Sequence, residues 1–142
     1  MSRKIDRKHA LCLIFQRDFN AEDTIADAFD FYLENFADEA ASEPNFVLGE
    51  IQGVYENLDI IDKYIAKTSV TWDISRISKI DLAIMRLAVY EILYDAGIPD
   101  GISINEAVEL AKEFSSEDSG KFVNGVLGQI VRTVKADKNE SV

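Results

Sequence analysis

The chain has 142 residues, of which 47% are apolar, and its 26 acidic and 15 basic side chains give a formal net charge of −11. This length fits one domain, and the apolar content with only two prolines excludes a disordered chain. No apolar run approaches the ~18 residues that span a bilayer, and the charged N-terminus lacks the apolar stretch of a signal peptide.

The charges are unevenly distributed along the chain. Residues 1–17 hold five basic side chains and one acidic one, whereas residues 18–62 hold thirteen acidic side chains and no basic one. Residues 63–142 are nearly balanced, with ten basic and twelve acidic side chains. Such asymmetry suggests separate surfaces for separate partners, although acidic residues also simply solvate a surface.

A first helix is predicted from about Arg3 to Phe19. Four cations lie on its first two turns, within residues 3–8. Cations are disfavoured there because they face the positive end of the helix macrodipole. We therefore expect these side chains to serve anion binding. The apolar stripe of this helix is Ala10, Leu11, Ile14 and Phe15.

Two more helices are predicted in the first half of the chain. Asn20 and Asp23 predict the start of a second helix. A third begins at the Ser42-Glu43-Pro44 stretch, since proline is tolerated in a first turn, and a break near Asn57 is left open. Their apolar positions are Ile25, Ala28, Phe29, Tyr32 and Phe36, then Phe46, Val47, Ile51, Val54, Leu58, Ile61 and Ile65.

A polar connector from Thr68 to Ser78 precedes a helix predicted from Ile80 to Ala96. This segment is apolar nearly all round, which is typical of a buried central helix. Gly97 is predicted to supply the C-cap, and Pro99 prevents continuation of the helix.

Two helices are predicted to follow Pro99. Ser103 and Glu106 have the spacing of a capping box, which predicts a helix start at Ser103. A last helix is predicted from about Asp118 to Val134. The three glycines within it would let another backbone approach closely, at a cost of about 1 kcal/mol each. Its inward positions are Val123, Val126, Leu127, Ile130 and Val134, and its glycines are Gly120, Gly125 and Gly128.

The fold class predicted from these patterns is all-α, with six to seven helices in a single domain spanning 1–142. Its first helical half runs over about 1–67 and its second over about 74–136. Little period-two alternation and no hairpin motif compete with this interpretation.

No catalytic constellation is found in the sequence. Cys12 lies among apolar neighbours and is interpreted as a small structural hydrophobe. His9, three residues after Asp6, is interpreted as a surface histidine, since one such pair supplies two metal ligands at most. No glycine-rich phosphate loop is present. The sequence therefore predicts no enzyme, no cofactor and no metal, and one cysteine with one histidine fits a reducing cytoplasm.

The second half of the chain carries motifs of a known family. Residues 103–112 read SINEAVELAK and residues 121–127 read KFVNGVL, and both resemble signatures of the NusB family. Asp81 with residues 85–91 resembles the family's central helix, and the N-terminal match to its arginine-rich first helix is looser. The similarity covers essentially the whole chain.

The resemblance implies both a fold and a function. The family fold is two three-helix bundles with a short extra helix. NusB-like proteins pair with NusE, the small-subunit ribosomal protein S-ten. The heterodimer binds the boxA element of nascent ribosomal RNA transcripts, and with other Nus factors it makes RNA polymerase resistant to termination.

The resemblance also implies site residues. Basic side chains of the first helix would contact phosphates, and an aromatic ring in the last helix would stack on a base. Asp81 is the implied contact for the protein partner. The implied RNA-binding residues are Arg3, Lys4, Arg7, Phe15, Asp118, Lys121 and Phe122.

Two departures from the family pattern weaken the expected RNA affinity of the chain alone. Ile5 and Asp6 interrupt the basic cluster, and Asp100-Gly101 stands where many members carry a basic residue. Our hypothesis is that the acidic surface attracts the basic ribosomal partner, so that the heterodimer is the competent RNA binder.

Two alternatives and the oligomeric state remain open at this stage. The runner-up is a helical protein–protein adaptor without intrinsic RNA binding. Some ribosomal RNA cytosine methyltransferases carry a NusB-like domain, but 142 residues leave no room for a cofactor-binding domain beside it. The sequence does not distinguish a free monomer from a homodimer.

Overall fold

The computed structural model describes residues 3–17, 44–68 and 74–140, and these are helical with short connections and no strand. The predicted all-α class is therefore confirmed. The predicted second helix lies outside the described residues. The helices are α1 Arg3–Arg17, α2 Pro44–Glu56, α3 Leu58–Thr68, α4 Lys79–Tyr94, α5 Asp100–Phe114 and α6 Glu117–Glu140, with a 3-10 turn at Ile74–Arg76.

The chain forms two compact units, Met1–Glu56 and Asn57–Val142. In the first unit, α1 packs against α2. The Tyr55 hydroxyl on α2 donates a hydrogen bond to the backbone carbonyl of Ile14 at 3.0 Å, and the Arg17 guanidinium lies 5.6 Å from the centre of the Tyr55 ring. One tyrosine thus links the end of α1 to the end of α2.

In the second unit, α4 packs against α3, α5 and α6. The predicted burial of this helix is confirmed, since nearly every residue from Asp81 to Ile92 is buried. Three of these residues are charged: Asp81, Arg86 and Glu91. Buried charges are costly unless they are paired, so their partners help to decide how the neighbouring helices pack.

The sequence left open whether the helix after Pro44 breaks near Asn57, and the structure shows this break. Asn57 forms a turn between α2 and α3, and its carbonyl accepts the Ile61 backbone N–H at 3.0 Å. The interruption separates α3 from α2, and α3 belongs to the second compact unit. This division of the chain falls earlier than the predicted end of the first half at about residue 67, because α3 packs against α4 and α6.

The two predicted caps around Pro99 are wrong. Helix α4 ends at Tyr94 with Asp95 as its C-cap, and no glycine of the described residues has a positive φ, so Gly97 supplies no left-handed cap. Helix α5 starts at Asp100 after Pro99, so Ser103 lies inside it. The Ser103 hydroxyl instead donates to Glu91 Oε1 at 3.2 Å. The Ser-x-x-Glu spacing predicted a helix cap wrongly, because the Ser103 hydroxyl pairs with the buried Glu91 carboxylate.

The last helix is longer than predicted and continues to Glu140. All five predicted inward positions are buried, from Val123 to Val134. The extra turns carry Asp137, whose Oδ2 accepts a hydrogen bond from the Tyr64 hydroxyl on α3 at 2.8 Å. The close-approach explanation applies at Gly120 only to a side chain: an added Cβ would lie 2.9 Å from Lys112 Cγ, whereas the nearest backbone atom, the Val108 carbonyl oxygen, would lie at an ordinary 3.6 Å. It is wrong for Gly125 and Gly128, which have open or nearly open space around them.

Asp62→Asn should lower the free energy of unfolding by about 3 kcal/mol, measured by urea denaturation. Asp62 pairs with Arg86 through two hydrogen bonds of 2.9 Å each, and Arg86 is 9% exposed. Removing one partner of a buried pair costs about 3–5 kcal/mol, and the partial exposure of Asp62 favours the lower end. Glu109→Gln, which removes an exposed partner of Lys112, is the control and should change stability by less than about 0.5 kcal/mol. Equal effects of the two changes would contradict this account.

Gly125→Ala should raise the free energy of unfolding by about 0.5–1 kcal/mol, because Ala is the better helix former and its Cβ meets nothing within 4 Å. Gly120→Ala is the matched comparison within the same helix, where the new Cβ must displace the Lys112 side chain. Chemical denaturation of both variants should show a smaller gain or a loss for Gly120→Ala. A larger gain for Gly120→Ala than for Gly125→Ala would refute the packing argument.

Candidate nucleic-acid interface

A cavity of about 300 Å³ lies where α4 and α6 both begin. We call it the α4–α6 cavity. It combines one aromatic ring, one guanidinium, two carboxylates and two hydroxyls, a mixture unlike the apolar core. Its lining residues are Arg76, Ile77, Ser78, Asp81, Asp118, Ser119 and Phe122.

Serine caps fix the two helix starts that form this cavity. Ser78 is the N-cap of α4, and its hydroxyl oxygen accepts the Asp81 backbone N–H at 3.2 Å. At the start of α6, the Ser116 hydroxyl oxygen accepts the Ser119 backbone N–H at 3.1 Å. Both positive macrodipole ends therefore lie at this cavity, which favours anionic groups there.

A chain of hydroxyls connects α6 to α4 across the cavity wall. The Ser119 hydroxyl donates to Asp81 Oδ2 at 3.1 Å. Ser119 and Ser115 hydroxyl oxygens lie 2.8 Å apart. Because the single Ser119 hydroxyl hydrogen is directed to Asp81, Ser115 is the donor in this pair. The Asp81 carboxylate is thereby held in one orientation.

The structure brings together some of the predicted site residues of the second unit. Asp118 and Phe122, one turn apart on α6, line the cavity beside Asp81. Phe122 is half-buried, whereas Lys121 is exposed and lies outside the lining. Arg76 and Ser119 also line the cavity, but the sequence reasoning missed them. The position of Arg76 two residues before a helix-capping serine could have indicated it.

The predicted site residues of α1 differ in exposure. Lys4 is exposed and Phe15 is half-buried. Arg7 is only 5% exposed, so a phosphate contact by Arg7 would first require its side chain to be uncovered. Helix α1 begins at Arg3. RNA contact by these residues stays a prediction.

Two interpretations of α1 residues are also tested by burial. His9 is 8% exposed, so the interpretation as a surface histidine is wrong. Cys12 is half-buried and forms no disulfide.

No group of three or more His, Cys, Asp and Glu residues in the described part of the chain is arranged to hold a metal ion. None of the described helices is long and apolar enough to cross a membrane.

A second cavity, of about 310 Å³, lies between the outer face of α3 and the end of α6. It is lined by Ile60, Lys63, Tyr64, Lys67 and Asp137. The hydrogen bond from Tyr64 to Asp137, with partial burial and the negative charge of Asp137, raises the pKa of Tyr64 above its ordinary value of 10.0. This contact fixes the last turns of α6 on α3.

The described residues define an all-helical protein with a polar and aromatic cavity. The NusB family model matches residues 4–132, and the chain belongs to the NusB family. The Transcription antitermination protein NusB of Acetivibrio thermocellus is 42% identical over 99% of this chain and 97% of its own length. The protein of the same name from Clostridium acetobutylicum is 41% identical over 94% of this chain and 97% of its own length.

Solved structures share the fold. T. maritima NusB superposes with a TM-score of 0.81 at 34% identity and covers 93% of this chain and 92% of that one. A NusB crystallised with NusE and double-stranded RNA superposes with the same TM-score of 0.81 over 94% of this chain and 99% of that one. Its identity is 23%, so this second likeness concerns the fold alone.

Asp137→Asn should lower the pKa of Tyr64, because the amide is a weaker acceptor and carries no charge. Ultraviolet absorbance titration measures tyrosine ionisation, and the difference from Tyr64→Phe isolates the Tyr64 contribution. Since the folded-state pKa is raised above 10.0, the contact stabilises the fold below pH 10.0 and this stabilisation is lost as the pH rises through the folded-state value. Asp59→Asn, an exposed change on α3, is the control. An unchanged Tyr64 titration in Asp137→Asn would refute the assignment.

Proposed function

We propose that this chain is a transcription antitermination factor that binds boxA-type single-stranded RNA of ribosomal RNA transcripts as a heterodimer with NusE. The α4–α6 cavity is the observation that carries the proposal. It places a half-buried aromatic ring, Phe122, and a guanidinium, Arg76, at two helix N-termini. These are the groups that hold a splayed base and its phosphate.

Each part of the RNA has a physical counterpart among the described residues. The Phe122 ring stacks on a base, which contributes about 1–3 kcal/mol per base in single-stranded RNA complexes. Arg76 and the exposed Lys121 attract phosphates near the cavity, and Lys4 on α1 is also exposed. Arg3 keeps its predicted phosphate contact in this proposal. These electrostatic contacts make binding salt-dependent.

The net charge of −11 explains why the proposal requires a protein partner. An acidic chain repels RNA at long range but attracts a basic ribosomal protein and speeds their encounter. The relatives named as transcription antitermination proteins support the antitermination role. The NusB crystallised with NusE and RNA has the same fold as this chain, so the proposed pairing is compatible with this fold. In this proposal the heterodimer acts on RNA polymerase together with other Nus factors.

A second candidate function is a helical protein–protein adaptor without intrinsic RNA binding. The burial of Arg7 favours it, because one of the three predicted phosphate contacts is covered. In the adaptor the chain still pairs with the ribosomal protein, and the α4–α6 cavity makes no contact with RNA. The two candidates differ in one observable, which is RNA affinity in the presence of the partner.

Fluorescence anisotropy with a labelled boxA-type RNA, with and without NusE across a salt series, tests the proposal. We expect weak binding by the chain alone and tight, salt-sensitive binding by the heterodimer. Phe122→Leu should weaken RNA binding by about five- to 150-fold through lost stacking. Lys121→Ala should weaken it uniformly across RNA sequences and reduce the salt slope by about one.

Matched controls separate these effects from loss of folding. Phe114→Leu changes an exposed aromatic on α5, and Lys138→Ala changes an exposed lysine near the end of α6. Neither residue lines the α4–α6 cavity, and neither change should alter RNA affinity. NusE binding without RNA binding at any salt concentration would leave the adaptor as the function. Association with NusE that does not weaken with salt would refute the electrostatic account of pairing.

A further inference from the structure

Asp81 has a buried oxygen with no hydrogen-bond partner. The residue is 7% exposed and lines the α4–α6 cavity. Its Oδ2 accepts the Ser119 hydroxyl, whereas Oδ1 has no hydrogen-bond partner among the described residues. A buried polar atom without a partner costs about 1–3 kcal/mol, and more when it is charged. Because Asp81 also lines the α4–α6 cavity, an occupant of the cavity that carries a hydrogen-bond donor would satisfy this carboxylate further.

We propose that the α4–α6 cavity binds one nucleobase bearing an exocyclic amino group, and that Asp81 accepts a hydrogen bond from that group. The inference rests on the proposed RNA-binding function and adds a base preference to it. Adenine, cytosine and guanine carry such an amino group. Uracil has a carbonyl oxygen at the corresponding position and is selected against.

The selectivity follows from the chemistry of a carboxylate. An ionised aspartate can only accept hydrogen bonds, so it pairs with an amino group. A uracil carbonyl at the same place would set two acceptors against each other, and uracil could donate its ring N3–H to Asp81 only after shifting in the cavity. A site that is built to pair with a donor rejects an analogue lacking it more strongly than a shape-based site does.

The rest of the cavity complements a base and its phosphate. The half-buried Phe122 ring offers a stacking surface, which any base can use. Arg76 and the positive ends of α4 and α6 favour the phosphate. A volume of about 300 Å³ is at the small end of ligand sites, which suits a single base.

A cationic side chain of the protein partner is a less suitable occupant. Such a cation would be attracted by the carboxylates of Asp81 and Asp118. It would also be repelled by the Arg76 guanidinium and by the positive macrodipole ends of α4 and α6. A neutral base uses the same acceptor without that repulsion.

Asp81 is held ready for this contact. Ser119 fixes Oδ2, and Asp81 lies in the first turn of a helix whose N-cap, Ser78, accepts its backbone N–H. An ionised carboxylate has further acceptor capacity beyond the Ser119 contact, so an amino group in the cavity can bond to Asp81 while that contact is kept.

The test measures base preference at each position of a labelled boxA-type RNA bound to the heterodimer with NusE. Each adenosine, cytidine and guanosine is replaced singly by uridine. It is also replaced by its analogue without the amino group: purine riboside, 2-pyrimidinone riboside or inosine. For the wild-type chain we expect one position where both replacements weaken binding by about five- to 150-fold. The analogue series uses the unaltered protein and so does not depend on whether a variant folds.

Asp81→Ala should reduce the penalty at that position to less than about twofold while leaving the other positions unchanged. Asp59→Ala, which also removes a first-turn carboxylate, is the matched control and should retain the wild-type profile. Thermal unfolding of each variant confirms that it is folded.

The RNA-binding results distinguish failure of the proposed function from failure of the inference about Asp81. Failure of the wild-type heterodimer to bind any of these RNAs refutes the proposed function itself. RNA binding without an amino-dependent position, or with the same penalty in Asp81→Ala, overturns the inference and leaves the proposed function standing. A loss of NusE affinity in Asp81→Ala with an unchanged base profile also overturns it and makes a partner side chain the occupant.

Discussion

The structure of the second unit depends on the burial of charged residues along α4. Arg86 and Glu91 are 9% and 1% exposed, and each needs a partner because water is excluded. Arg86 pairs with Asp62 on α3, and Glu91 accepts a hydrogen bond from Ser103 on α5. Asp81 likewise accepts a hydrogen bond from Ser119 on α6. Each neighbouring helix thus supplies one polar contact, and together these contacts select how α3, α5 and α6 pack on α4.

The same constraint builds the candidate site. Asp62 and Arg86 pair through two hydrogen bonds, whereas Asp81 keeps one oxygen without a partner where α4 and α6 begin. Two serine-capped helix starts bring their positive macrodipole ends and an aromatic ring to this place. The candidate site is therefore a direct consequence of how a buried helix satisfies its charges, and Ser119 and Asp81 belong both to this packing and to the candidate site.

The candidate site could be predicted from the sequence only in part. Asp118 and Phe122 are one turn apart on one helix, so helical spacing alone places them together. Arg76 and Asp81 join them only through the packing of α4 on α6, which no local pattern encodes. Burial decided the rest: Arg7 and His9 look like surface residues in a basic segment, yet both are buried. Local charge patterns do not reveal which face of a helix a neighbour covers.

The sequence by itself determined the all-helical class, the buried character of α4 and the inward face of α6, because hydrophobic periodicity is a property of consecutive residues. The tertiary structure decided the role of Ser103, which a local motif assigned to a helix cap and which instead pairs with Glu91. It also decided the length of α6, whose last turns are fixed by Tyr64 on α3. These features depend on contacts between residues distant in the chain, and such contacts arise only when the helices pack.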